Sequence, residues 1–221
     1  MMPSLTNAGN TLGNTHSALL SAPPSKTLIG LDGGSVSVIL ILVKPLETIV
    51  AFDEFLQQRG LHFNAVVIGG AALALLGVVS RQTRDCDILR PELSTPILSA
   101  ARDFAAMRND GGDPLADDWL NNGPASLAQI LPAGWLDRLQ MAYQGTSITL
   151  KCLGRLDLLR SKLFALCDRG IDLTDCIALA PTGSELDQVT PWVETQDTNP
   201  DWPNHVRATI DNLRQRLGHG I

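Results

Sequence analysis

The chain has 221 residues, which at roughly 100–200 residues per domain allows one domain with extensions or two small ones. Its 17 basic and 23 acidic side chains leave a net charge of −6, which argues against a broad non-specific nucleic-acid surface but not against a local basic site. Hydrophobic residues make up 44% and mean hydropathy is +0.09, so disorder throughout is excluded; with aromatics at 5%, Leu, Ala, Val and Ile are expected to fill the core.

Residues 1–27 are rich in Ser, Thr, Asn, Gly and Pro, and lack a basic stretch followed by an apolar one. They read as a flexible arm rather than a secretory signal. Residues 45–59 carry Leu46, Ile49, Val50, Phe52 and Leu56 at helical spacing, with Gly60 as the stop, so a helix is expected. The uncharged run 63–80 approaches the roughly 17–20 residues of a membrane helix, but Gly69-Gly70 splits it. A β-branched strand (64–68), a glycine turn and an Ala/Leu-rich helix opening at Ala71 account for it better, and no membrane association is expected. Residues 84–89 alternate charged and apolar side chains and read as a strand ended by Pro91.

A helix is expected over 95–107, with Ile97, Leu98, Ala101, Phe104 and Ala105 inside, and then a mobile loop over 108–118. Residues 124–139 are weakly helical, broken by Pro132 and Gly134, and 146–153 read as a strand. Residues 155–169 give the strongest helical pattern (Leu156, Leu159, Leu163, Leu166), capped by Gly170. A further helix starts at Asp172, where Asp172 and Asp175 have the spacing of a weak capping box. A loop over 195–203 leads to a final basic helix over 205–217. The plan is a small α/β half (28–154) followed by a helical half (155–221).

Cys86, Cys152, Cys167 and Cys176 form no C-x-x-C pair, and His16, His62, His205 and His219 are scattered. Zinc and a secreted disulfide scaffold are not expected; reduced thiols in a cytoplasmic protein are.

One segment carries chemistry: Val-Val-Ile-Gly-Gly-Ala-Ala-Leu-Ala-Leu-Leu-Gly (66–77), Arg81, then Thr-Arg-Asp-Cys-Asp-Ile (83–88). Gly69 and Gly70 let the backbone turn sharply and let a ligand approach its N–H groups, and the start of the following helix favours phosphate. Asp85 and Asp87 lie two apart on the expected strand, so both carboxylates project from one face, where they can hold Mg²⁺. Arg81 and Arg84 can add bidentate contacts to phosphate. Strand, Gly-Gly, helix, Arg and Asp-x-Asp in that order are far more specific together than singly.

This order resembles the DNA polymerase β-like nucleotidyltransferases, and within them the AbiEii-type toxin family, to which the MenT toxins are related. The likeness returns over 157–175, where a lysine on one helix precedes Arg-Gly and then Asp-x-x-Asp. The resemblance implies an α+β fold: a small mixed sheet with flanking helices and a helical C-terminal half. It implies Lys162 as a triphosphate-contacting lysine, Asp172 as a downstream functional acid, and Asp175 with Arg169 in support. It implies Mg²⁺ at Asp85 and Asp87, transfer of an NMP from an NTP to a tRNA or protein hydroxyl, and an antitoxin partner. Read from the residues alone, Lys162 is sooner a snorkelling lysine or a partner of Asp157 or Asp168 than a phosphate ligand, and Asp172 is equally a plain helix N-cap. The strand 147–153 offers Thr149 and Lys151 but not the third carboxylate common in polymerase-like enzymes. A catalytically impaired nucleotide- or partner-binding module of the same fold is therefore the alternative. The final helix, with Arg207, Arg214 and Arg216, reads as a solvated face or as a contact to RNA or an acidic partner.

Overall fold

The computed structural model describes residues 43–123 and 125–219; the N-terminal arm (1–27) lies outside them. Helix α1 (Pro45–Gln58) leads into strand β1 (Phe63–Ile68) and the short helix α2 (Gly69–Leu75). Strand β2 (Cys86–Arg90), helix α3 (Thr95–Asp110) and the two-residue strand β3 (Leu120–Asn121) follow. Helix α4 (Leu127–Ile130) and a 3₁₀ turn (Trp135–Arg138) precede the hairpin of β4 (Gln140–Gln144) and β5 (Ile148–Cys152). The rest is helical: α5 (Arg155–Arg169), α6 (Leu173–Ala178), α7 (Gly183–Glu194) and α8 (Trp202–Arg216). No helix among the described residues is long and apolar enough to cross a membrane.

The strands form one mixed sheet in the order β3-β2-β1-β5-β4. β1 is central, antiparallel to β2 and parallel to β5; β2 and β3 run parallel. A strand with neighbours on both sides and helices on both faces must be apolar throughout. That is why 65–68 are uniformly buried and why the uncharged run carries the core on as far as Leu73. The expected α+β class is the observed one.

Alternate residues of β1 feed two cores. Phe63, Ala65 and Val67 face a cluster with α1 and α3, whereas Val66 and Ile68 face a cluster with α5, α7 and α8. Helix α2 joins them, with Ala71 and Ala72 in the first and Leu73 in the second. The few aromatics are concentrated rather than diluted. Phe52, Phe104 and Trp119 interlock with ring centroids 5.1–5.8 Å apart, and Trp119 donates to the Ala101 carbonyl. Phe164, Trp192 and Trp202 anchor the second core. Leu, Ala, Val and Ile thus do not fill the interior alone.

Several expectations need correction. Strand β2 begins at Cys86, so Asp85 precedes it instead of lying on it. Gly69 and Gly70 form the first turn of α2 instead of preceding it. In α3, Ala100 is buried and Leu98 only half-buried, and the helix runs on to Asp110. The loop after it is tied down: Asn109 bonds both the N–H and the carbonyl of the buried Leu115, and Arg108 pairs with Asp113. α8 starts at Trp202. Strands β3 and β4 and helix α7 carry no sequence expectation above.

Candidate functional site

The site is built where β1 gives way to α2. Ile68 ends the strand in extended geometry, and Gly69 takes φ +72°, a region that an L side chain enters at a cost. Glycine is required here for space as well. A Cβ on Gly69 would lie 3.0 Å from Asp87 Oδ2, and one on Gly70 2.8 Å from Thr83 Cγ2.

A cleft of about 340 Å³ opens beside this turn. Gly69, Gly70, Arg81, Arg84, Asp85, Asp87, Lys162, Arg169 and Asp172 all line it. Asp87 reaches it from β2, paired across to Ile68, and Lys162 reaches it from α5, 75 residues further on in the chain. In a chain of net charge −6, this cleft gathers four cations, Arg81, Arg84, Lys162 and Arg169, against the three acids Asp85, Asp87 and Asp172. Segment 118–123, of which only Asp118 falls in the expected loop, also belongs to it. Gly123 lines the cleft, and a Cβ there would collide with Asp87 Oδ1.

The two acids are uncomfortable. Burial and the neighbouring Asp85 carboxylate push Asp87 up to about 7, against the pull of Asn121, Lys162 and Arg169. Burial also raises Asp85, helped by Asp118 and opposed by Arg84. A cation at these carboxylates would relieve both.

On the opposite wall the charges are matched. Lys162 is 5% exposed; its Nζ donates to Asp175 Oδ2 at 2.7 Å and lies 3.4 Å from Asp172 Oδ2. Arg81 donates to the other oxygen of Asp175 at 2.6 Å. Asp175 is fully buried behind the cleft; burial alone would raise it, but Lys162 and Arg81 hold it below the usual carboxylate range. The pairing of Lys162 with Asp157 or Asp168 does not form. Asp157 binds Arg138 and Arg160 instead, and Arg169 lies 3.8 Å from Asp168. Asp172 takes the N-cap position of α6 at φ +71°, but its side chain caps nothing, and the Asp172–Asp175 capping box is absent. Both carboxylates are turned to Lys162. A non-glycine residue in the left-handed region is costly, and such strain clusters at functional sites.

Residues 44–180 match a family described as "Nucleotidyltransferase of unknown function (DUF6036)". The chain belongs to this nucleotidyltransferase family. The matched span contains every residue of the cleft named above. No curated protein and no solved structure matches the chain. A nucleotidyltransferase domain implies a nucleoside triphosphate as substrate, and a cleft with four cations suits a polyphosphate.

The donor chemistry also fits Mg²⁺, which takes hard oxygens and is typically held by one or two carboxylates plus substrate phosphates. Asp85 and Asp87 are such a pair, and their raised affinity for protons marks a place short of positive charge. Among the described residues, no three His, Cys, Asp or Glu side chains group around a metal position. The fit is therefore to an ion shared with phosphate, not to a cage of acids.

Proposed function

We propose that the chain is a Mg²⁺-dependent nucleotidyltransferase that moves an NMP from an NTP to a hydroxyl of a tRNA or a protein. We place it among AbiEii-type toxins, acting in the cytoplasm opposite an antitoxin. One observation carries the catalytic reading: Asp85, Asp87 and Lys162, from distant parts of the chain, line one cleft beside the Gly69-Gly70 turn. The toxin role rests on the likeness of 157–175 to the lysine, Arg-Gly and Asp-x-x-Asp pattern.

In this reading Asp85 and Asp87 hold the ion. When bound, it supplies charge neutralisation at the phosphates and eases ionisation of the attacking hydroxyl. Gly69 and Gly70 admit the phosphates close to the backbone. Arg81, Arg84 and Lys162 offset the charge that builds up on pyrophosphate as it leaves. Asp175 fixes Arg81 and Lys162 from behind, Arg169 adds positive potential at the rim, and Asp172 is the downstream functional acid. Residues 28–154 make the transferase core, and 155–221 complete the site by supplying Lys162 and its partners.

The test is incubation with each labelled NTP, total RNA and cell protein. Wild type is expected to label an acceptor and Asp85→Ala to label none. Absence of label from every combination overturns the reading.

Among the described residues no three acids group around one position, and this favours a second reading, an impaired binding module. Calorimetry separates the two: tight, Mg²⁺-independent nucleotide binding without turnover supports the module.

A further inference from the structure

Strand β5 sends Ile148, Leu150 and Cys152 into the first core. Thr149 and Lys151 therefore point to the opposite face of the sheet, the face of Val66 and Ile68. Lys151 pairs across to Val66, and Val66 pairs on its other side to Arg90 of β2. Simple alternation would turn Arg90 away, because Ile88 belongs to the first core. A bulge in the pairing between Val66 and Val67 turns it back. Arg90 and Lys151 thus flank Val66 in one row, two strand spacings or about 10 Å apart. The next row holds Asn64 and Thr149. With Leu136, which is 50% exposed, these side chains line a groove of about 520 Å³.

Both cations are exposed; among the described residues neither has an acidic partner, and no acid lines the groove. The strands beneath, β2, β1 and β5, each have a neighbour on both sides. They offer a peptide no edge to extend, so side chains alone meet the ligand. Two separated cations beside an amide and a hydroxyl suit the phosphates and ribose hydroxyls of a nucleic-acid strand. The groove also lies close to the cleft. Asp87 pairs with Ile68 and Arg90 with Val66, so the two rows are one strand repeat, about 7 Å, apart. Leu127 lines the cleft and Leu136 the groove, so segment 127–136 borders both. We infer that this groove holds the backbone of an RNA strand whose hydroxyl end enters the cleft, with Arg90 and Lys151 on its phosphates. The inference rests on the nucleotidyl-transfer reading above and decides between its two acceptors in favour of RNA.

The experiment follows the fluorescence anisotropy of an end-labelled single-stranded RNA of mixed sequence, titrated with the full chain without NTP. Combining Arg90→Gln with Lys151→Gln is expected to weaken binding about tenfold or more, and to flatten its log–log salt dependence by about 0.7 per lost contact. ATP and GTP affinity with Mg²⁺, measured by calorimetry, is expected to stay as in wild type. RNA affinity of the double variant within about twofold of wild type overturns the inference, as does wild type that fails to bind the RNA at low salt. A polyglutamate peptide that binds as tightly as the RNA, and is lost with the same two substitutions, reassigns the groove to acidic proteins and also overturns it. If the double variant does not fold, Lys151→Gln alone decides, with a loss of about threefold expected and no loss overturning the inference. Loss of RNA binding in the variants of a chain that binds no NTP would instead remove the transferase reading and leave the groove an RNA site.

Discussion

A lysine that is 5% exposed is costly unless an anion meets it, and here Lys162 meets two, Asp175 and Asp172. Its partner Asp175 has no exposure at all, so removing the lysine strands a buried carboxylate with Arg81 as its remaining cation. Breaking one partner of a buried pair typically costs about 3–5 kcal/mol. We expect Lys162→Met to lose about 3 kcal/mol in urea unfolding, and Asp175→Asn in the same chain to recover part of it. An unchanged midpoint for Lys162→Met would show that the pair contributes nothing to the fold.

Asp87 gives the opposite case. Its folded pKa, about 7, exceeds the ordinary 3.8, so the folded chain binds the extra proton between those values. Without divalent ions, stability therefore falls as pH rises through that window. Asp87→Asn escapes this loss and is expected to melt several degrees above wild type at pH 8, about 1–2 kcal/mol, with a smaller gap at pH 4. A lower melting point for the variant at pH 8 would contradict the electrostatic account of the cleft. At this scale the sequence was readable where chemistry recurs in order: Gly69, Gly70, Arg81, Arg84, Asp85, Asp87, Lys162 and Asp172 share one cleft. Asn121 and Gly123 were not readable, because only the pairing of β3 with β2 brings them to Asp87.

At the level of elements, local signals were sufficient where a helix carried its own stop or stripe. Gly170, at φ +66°, ends α5 at the expected residue. Helix α7 had an equally local signal that went unused: Thr182 and Glu185 form a full capping box, and Arg155 clasps Glu185. Pro191 inside that helix breaks the usual pattern. Strand β3, two residues long, exists through its neighbour and has no periodicity to read.

The β4–β5 hairpin shows a different dependence, on a distant acid. Asp53 of α1 is buried, and its carboxylate accepts the backbone N–H groups of Thr146, Ser147 and Ile148 at 3.0, 2.9 and 2.5 Å. A Cβ at Gly145 would strike that carboxylate. Leaving buried donors unmet costs about 1–3 kcal/mol each, partly offset by water at the hairpin tip. Asp53→Ala is expected to lower stability by about 2–4 kcal/mol while leaving nucleotide affinity of the folded fraction unchanged. A loss below about 0.5 kcal/mol in urea unfolding would show that the hairpin closes without this cap.

Across the whole molecule, one sheet serves two cores, and the cleft lies where they meet. β1 sends alternate side chains to each, and α2 is shared between them. Neither core can be taken apart without exposing a face of the same central strand, so the described part of the chain is expected to unfold in one transition. Trp119 reports on the first core, and Trp135, Trp192 and Trp202 on the second. Urea curves of Trp119→Phe, which keeps only the second reporters, and of wild-type far-ultraviolet circular dichroism should then share a midpoint once the substitution's own effect is subtracted. Two separated transitions would mean that the helical half holds Lys162 in place only loosely.

The proposed reaction moves the α-phosphoryl of an NTP, with its nucleoside, to an acceptor hydroxyl. The most direct measurement compares α-³²P with γ-³²P label in total RNA and protein after incubation with Mg²⁺ and wild type or Asp87→Asn. Acceptor label is expected from the α position only, lost by about a hundredfold or more in Asp87→Asn. Label arriving from the γ position, or α label that persists in Asp87→Asn, would contradict it.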